Sequence, residues 1–264
     1  MIVHDEKIQR QAQWRHLFIS LALYCIVNAT LIMIAAKDVS AEPLPKNFTQ
    51  LWEKAASYME HNHWIPGTIK VHEKTHNLKG KLEEETQYEF GFLETQNHKI
   101  RQKVLFAEKN GKDISRKVQS AMNDHITLDE LSKYSPFNSK NRQQATYQLN
   151  GEHRAIDGHN CAGFNFTLNT EGQTVKGTAW LDEKTGLPTK IHSRITSVPI
   201  MEKGFKIISH TETDYFSITD DGRWLINRTQ TQTDFEMPKY KFKGQETVLS
   251  VYKDHWQYVM PNKP

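Results

Sequence analysis

From Ala145 to the C-terminus the chain is a succession of short runs rich in Thr, Val, Ile, Phe, Tyr and Trp. They are separated by turn dipeptides at Asp157-Gly158, Glu171-Gly172, Thr185-Gly186 and Asp221-Gly222. Connections this short join neighbouring strands antiparallel, because a parallel pair needs a crossover of a dozen or more residues. So many strands in one meander predict a sheet that curls rather than lies flat. Three earlier runs, Thr68 to Thr75, Glu85 to Thr95 and Ile100 to Glu108, add to it. In the second, Tyr88, Phe90 and Phe92 alternate with Gln87, Glu89 and Gly91, the two-residue period of a half-buried strand. Asn110-Gly111 ends the third run as a tight turn.

Helices are few. In Asn47 to Met59 the residues Phe48, Leu51, Trp52, Ala55 and Met59 recur at three- and four-residue spacing and make one apolar stripe. Pro45 and Asn47 supply its start, and Pro66-Gly67 separates it from the strands. A helical interval is expected from about Asp113 to Tyr134. Ile114, Val118, Ala121 and Met122 share a face of its first segment, and Thr127 with Glu130 forms a capping box for the second, which presents Leu128 and Leu131. Ser135 to Arg142 is a polar break and reads as a loop. The expected fold class is mainly β: a curled antiparallel sheet, or half-barrel, with a few helices packed in or over its concave face.

The N-terminus sets the compartment. Leu17 to Ala36 carries no charged side chain and follows Lys7, Arg10 and Arg15, the arrangement of an export segment. Val39-Ser40-Ala41 is a small-x-small pattern of the kind signal peptidase accepts. Residues 1–41 are therefore expected to be a signal peptide or, the run being long enough to span a bilayer, a retained anchor. Residues 42–264 form one domain in the periplasm, in contact with the inner membrane only if the segment is uncleaved. Removing residues 1–41 leaves 30 Lys and Arg against 28 Asp and Glu, too even a balance for a nucleic-acid partner. Only Cys161 remains among the cysteines, so no intramolecular disulfide forms and stability must come from burial and strand pairing.

The stretch Val175-Lys176-Gly177-Thr178-Ala179-Trp180-Leu181-Asp182-Glu183-Lys184-Thr185-Gly186-Leu187-Pro188 resembles the strand-turn-strand unit of the outer-membrane lipoprotein carrier superfamily (LolA/LolB-like). Each piece has a physical reason. Asp182 can bond the turn amides, Gly186 can take the left-handed conformation, and Pro188 opens a strand where no ladder donor is lost. The order of export signal, amphipathic helix, strands, helical interruption and long meander is also similar. The resemblance implies a half-barrel whose hydrophobic cavity takes acyl chains, or a sensing domain on the same fold. It implies a binding module rather than an enzyme.

On that reading the candidate ligand-binding residues are apolar: Phe48, Leu51, Trp52 and Met59 on the helix, with Phe90, Phe164, Phe166, Leu181, Tyr215, Phe216 and Trp224 on strands. Trp180 faces opposite to Ala179 and Leu181, so only one of those sets can line a cavity. The Thr- and Gln-rich run Asn227 to Thr233 implies that part of the outer face is solvated. The expected partner is a lipid or lipoprotein acyl chain, with an envelope protein as the alternative, and no cofactor is called for. One enzymatic pattern stands out. His72-Glu73-Lys74-Thr75-His76 is an H-E-x-x-H sequence, which on a helix would bind zinc and activate water. After Pro66-Gly67 and the run Thr68 to Val71 it reads as a strand, where the two imidazoles lie about 13 Å apart and cannot share one metal, so a zinc metalloprotease through His72, Glu73 and His76 stands third among the readings. Neither a catalytic nor a metal-ligating residue is assigned. Cys161, beside His159 and Asn160, reads as a packed thiol, because strand neighbours point to opposite faces.

Overall fold

Strand pairing dominates the structure, a computed structural model that describes residues 49–61, 64–94, 100–122, 125–126, 135–137, 139–170, 173–195, 206–219 and 223–257. The described chain enters through helix α1 (Thr49–His61) and strand β1 (Trp64–Ile65), then passes through β2 (Thr68–Asn77), β3 (Leu82–Glu94) and β4 (Ile100–Lys109). Two short strands, β5 (Lys112–Asp113) and β6 (His125–Ile126), flank helix α2 (Ser115–Ala121), and the one-turn helix α3 (Ser139–Arg142) follows. A second series runs β7 (Ala145–Ile156), β8 (His159–Thr170), β9 (Gln173–Asp182), β10 (Pro188–Ile195), β11 (Lys206–Ile218), β12 (Trp224–Met237) and β13 (Phe242–Lys253). A 3-10 turn at Pro238–Tyr240 joins β12 to β13, and β14 (Trp256–Gln257) pairs with β1.

Twelve strands form one antiparallel sheet in the order β5-β4-β3-β2-β13-β12-β11-β10-β9-β8-β7, with β6 alongside β4. The two meanders meet where β13 lies against β2, Gly244 opposite Asn77 and Lys253 opposite Thr68. The sheet curls without closing on itself. Register shifts fall, among other places, between Glu89 and Phe90 on β3 and at Ile207/Ser209 and Tyr215/Phe216 on β11. An extra residue on one strand sharpens local twist and turns the sheet.

The tight turns have the chemistry their sequences promise. Asn110-Gly111 has φ of 47° and 77°, and Asp157-Gly158 has 48° and 85°. Two successive positive φ values match the twist of the flanking strands in a two-residue hairpin. The turns at Glu171-Gly172 and Asp221-Gly222 lie outside the described residues, as do the signal segment, the cleavage pattern and the Thr127–Glu130 capping box.

Alternation sorts each strand into an inner, buried face and an outer one. One register line crosses the sheet as Phe164, Ala179, Ile191, Asp214, Thr229, Ser250, Val71 and Tyr88, and every member is buried. Ala179 and Leu181 face inward, whereas the Trp180 ring lies on the other face beneath the Arg154 guanidinium, 4.8 Å from its centroid. Helix α1 packs against the inner face through Leu51, Trp52, Ala55 and Ala56, all buried.

Two expectations about the middle of the chain are corrected. The first helical segment ends at Ala121, which is exposed, so only Val118 and Met122 are fully buried from its apolar set. The Ser135 to Arg142 stretch is no plain loop: it carries α3, and Phe137 is 1% exposed with its ring 4.5 Å from that of Trp52. The Asn141 side-chain amide donates to the Ser135 carbonyl at 2.9 Å and fixes the segment. A single aromatic contact outweighs the polar composition around it.

Candidate functional site

Two chemistries share the inner face. The first is aromatic and lies under α1. The Trp52 ring stacks on Tyr147 at 4.4 Å and 11°, and tilts against Phe164 at 5.8 Å and Phe166 at 6.3 Å. Leu181 and Leu187 complete the floor. The Asp182–Pro188 turn supports the helix from below: its Gly186, at φ 79°, leaves no more than contact distance for the Lys54 side chain. Asp182 Oδ1 accepts from the Lys184 and Thr185 amides at 2.9 and 2.6 Å and from the Thr185 hydroxyl at 2.9 Å. The Tyr147 hydroxyl donates to Glu53 of the helix at 2.9 Å. Among the described residues no backbone hydrogen bond joins α1 to the sheet.

Of the residues predicted to line a cavity, Leu51, Trp52, Phe164, Phe166 and Leu181 converge at this floor. Phe216 and Trp224 stack on each other at 4.3 Å further along, and Tyr58 of α1 meets Trp224 edge-on at 6.3 Å. Phe90 belongs to the same core but sits on β3, stacked on Tyr88 at 5.6 Å. Tyr215 is not among them in space. One residue from Phe216, it lies on the outer face, with the Arg228 guanidinium 4.0 Å and the Lys190 ammonium 5.2 Å from its ring centroid. Phe48 and the Met59 side chain lie outside the described residues.

The second chemistry occupies the centre of the inner face, on β3, β2, β13, β12 and β11, and was not anticipated. Glu73, Glu246, Glu212 and Asp214 are all at most 5% exposed. The Glu73 and Glu246 carboxyls lie close enough to influence each other. Burial holds the Glu73 carboxyl well above the usual range; the adjacent Glu246 and Glu84 charges push it further and Lys109 opposes them. Glu84 is raised by burial too, against its ion pair with Lys109. Asp214 is raised to about 7 by burial, although the Thr229 hydroxyl donates to it at 2.6 Å, and the Tyr252 hydroxyl donates in turn to Thr229 at 3.0 Å. His210 is lowered to about 4 by burial, with Nδ1 2.9 Å from the Thr233 hydroxyl. Burial and neighbouring negative charge both disfavour the ionised form of these carboxyls.

A strand-period count could have found this region. Glu73 and Thr75 continue the inward positions of Ile69 and Val71. The same alternation disposes of the metal pattern: His72 and Glu73 face opposite sides of β2, and His72 Nε2 is 2.5 Å from Glu85 Oε1 on the outer face. Among the described residues no group of three or more His, Cys, Asp or Glu side chains is placed to hold a metal. Cys161 is buried with Sγ 3.2 Å from the Thr189 hydroxyl, and burial pushes its thiol up. That is a packed thiol. An open groove of about 450 Å³ lies on the outer face, lined by His72, Lys74, Thr213, Gln230, Gln232 and Leu249 among others; its hydroxyls and amides suit water rather than hydrocarbon.

No protein-family model matches the sequence, and no curated protein matches it at a significant level. Likeness appears among solved structures. A DUF1329 family protein from Desulfovibrio piger is 9% identical, with a TM-score of 0.36 over 81% of this chain and 94% of its own. A domain described as an outer membrane lipoprotein-sorting protein, from Vibrio parahaemolyticus, is 11% identical with a TM-score of 0.35, over 74% of this chain and 87% of its own. MucB, solved in complex with MucA(peri), is 9% identical with a TM-score of 0.21, over 80% of this chain and 98% of its own.

Proposed function

We propose that this chain is an exported, non-enzymatic binding protein that takes a lipid or lipoprotein acyl chain beneath helix α1. Residues 1–41 act as signal peptide or anchor, and residues 42–264 as the periplasmic binding domain. The observation that carries the reading is the seat of α1, which rests on an aromatic floor through the Trp52–Tyr147 stack and the Tyr147–Glu53 hydrogen bond, next to the edge strand β7. A helix held this way can yield to a guest of the same chemistry. Each methylene that the guest buries returns about 0.8 kcal/mol, so a fatty-acyl tail can replace the contacts of Trp52 and its neighbours. The test is lipid extraction and mass spectrometry of the purified chain, together with titration of cis-parinaric acid. Co-purifying lipid and saturable probe binding that weakens in Leu51→Asp are expected. No lipid and no saturable binding would overturn the reading.

A second reading, a protein-interaction or envelope-sensing domain on the same fold, draws support from the carboxyl-lined centre. An acyl chain offers nothing to Glu73 or Asp214, and the floor under α1 is already filled by the protein's own rings. It predicts no probe binding and, in crosslinking, a protein partner.

A further inference from the structure

One end of the sheet is unlike the other. At the β2–β3 hairpin the sequence Asn77-Leu78-Lys79-Gly80-Lys81-Leu82 puts Leu78 75% and Leu82 43% exposed, on either side of Gly80 at φ 74°. The β12–β13 turn lies beside it, since Gly244 pairs with Asn77. That turn reads Pro238-Lys239-Tyr240-Lys241-Phe242-Lys243, with all three lysines exposed. The start of β11 follows, where Lys206 pairs with Glu236 and the bulged Ile208 is 54% exposed. Across β3, β2, β13, β12 and β11 this makes a continuous rim roughly 19 Å wide, from a strand spacing of about 4.8 Å.

The rim is basic and apolar together. Among the described residues Lys81 pairs with Glu83 and Lys243 with Glu236, leaving Lys79, Lys206, Lys239 and Lys241 without a carboxylate. Turns at the opposite end are mixed, with Asp157, Asp182 and Asp254 alongside Lys184 and Lys253. Exposed leucine and isoleucine gain nothing from water, while the lysines beside them are merely solvated there. Against a bilayer of anionic lipid both find partners, the aliphatic side chains in the headgroup boundary and the ammonium groups on phosphate.

We propose that this rim docks the protein on an anionic lipid surface, independently of residues 17–36. The β2–β3 tip inserts Leu78 shallowly, while the lysines of both turns hold the headgroups. This goes beyond acyl-chain binding, and it stands or falls without it, because the probe sits at the rim and not under α1.

The experiment uses the full chain carrying Cys25→Ser and Leu78→Cys labelled with the polarity-sensitive dye NBD. A matched chain carries the label at Lys184→Cys on the opposite end. Each is mixed with vesicles of phosphatidylcholine alone or with phosphatidylglycerol added. Emission from position 78 is expected to rise and shift blue on the anionic vesicles, to stay aqueous on the neutral ones, and to return to water at high salt. Position 184 stays aqueous throughout. The ratio of docked to undocked protein is expected to fall about fivefold per lysine removed, and so about twenty-five- to thirtyfold in Lys79→Gln/Lys241→Gln. A label at 78 that remains in water on anionic vesicles overturns the proposal and leaves the rim to a partner of another class, such as an acidic protein. So does a response that neutral vesicles, position 184 or the double variant reproduces.

Discussion

The aromatic floor under α1 and the carboxyl-lined centre are cut from the same sheet by the same alternation, yet they are held together differently. A single register line passes from Phe164 on β8 to Asp214 and Thr229 on β11 and β12 without a break in burial. At the floor the stabilising term is apolar area and ring packing. At the centre hydrogen bonds offset part of the cost of burying polar groups, as in the run from Tyr252 to Thr229 to Asp214. Burial alone therefore does not mark the hydrophobic part of this core. The floor should respond to loss of volume, and the centre to loss of protons.

Trp52→Ala is the hardest blow to that contrast. The ring is 1% exposed and touches Phe137 ahead of α3, Tyr147 on β7 and Phe164 on β8, so its removal leaves a cavity that one helix cannot collapse. A loss of about 3–5 kcal/mol is expected in urea unfolding, equal at pH 5 and pH 8. A loss that varied with pH would mean that the two regions are coupled rather than separate.

Asp214→Asn probes the other region. The folded pKa of Asp214 is about 7 against 3.8 for the free side chain, so the native state holds a proton that the unfolded chain releases. Its contribution is full below about pH 4 and is lost as pH rises through 7. His210 runs the other way: with a folded value of about 4 against 6.5, its contribution is present above 6.5 and is lost as pH falls towards 4. The wild-type curve mixes both, so the readout is the difference between variant and wild type. Relative to that difference at pH 4, the Asp214→Asn chain should gain at most about 4 kcal/mol by pH 8, from three units at 1.36 kcal/mol each. A difference that is flat with pH would show that Asp214 is ionised in the fold.

The floor was legible in the sequence because its residues are apolar at helical or two-residue spacing: Leu51 and Trp52 on α1, Phe164 and Phe166 on β8. The centre was not, because a polar residue in a strand is ordinarily read as facing solvent. In the run Asn227 to Thr233 that rule held for Gln230 and Gln232, which are exposed, and failed for Thr229, Thr231 and Thr233, which are buried between them. Period-2 alternation says which residues share a face, and only long-range pairing says that both meanders bury the same one. Tyr215 was grouped with Phe216 by adjacency, which alternation itself forbids. Phe137 escaped because a lone aromatic in a polar segment carries no period, and its partner Trp52 lies far back in the chain.

The seam between the two regions gives the mildest test. Gly177 on β9 stands opposite Phe166 on one side and Ser193 on the other, where the aromatic floor ends and the register line to Glu212 begins. A Cβ there would fall 2.1 Å from the His192 carbonyl oxygen and 2.7 Å from the Phe166 ring. The missing side chain lets the Phe166 ring lie over the strand. The oxygen belongs to a paired strand and cannot retreat alone, so Gly177→Ala must displace β10 or tilt Phe166. A loss of about 1–3 kcal/mol is expected in urea unfolding. If the ring tilts, Trp52 loses part of its floor, and Gly177→Ala combined with Trp52→Ala should cost less than the two apart. Full additivity would place the strain on β10 instead, and the seam would then belong to the centre.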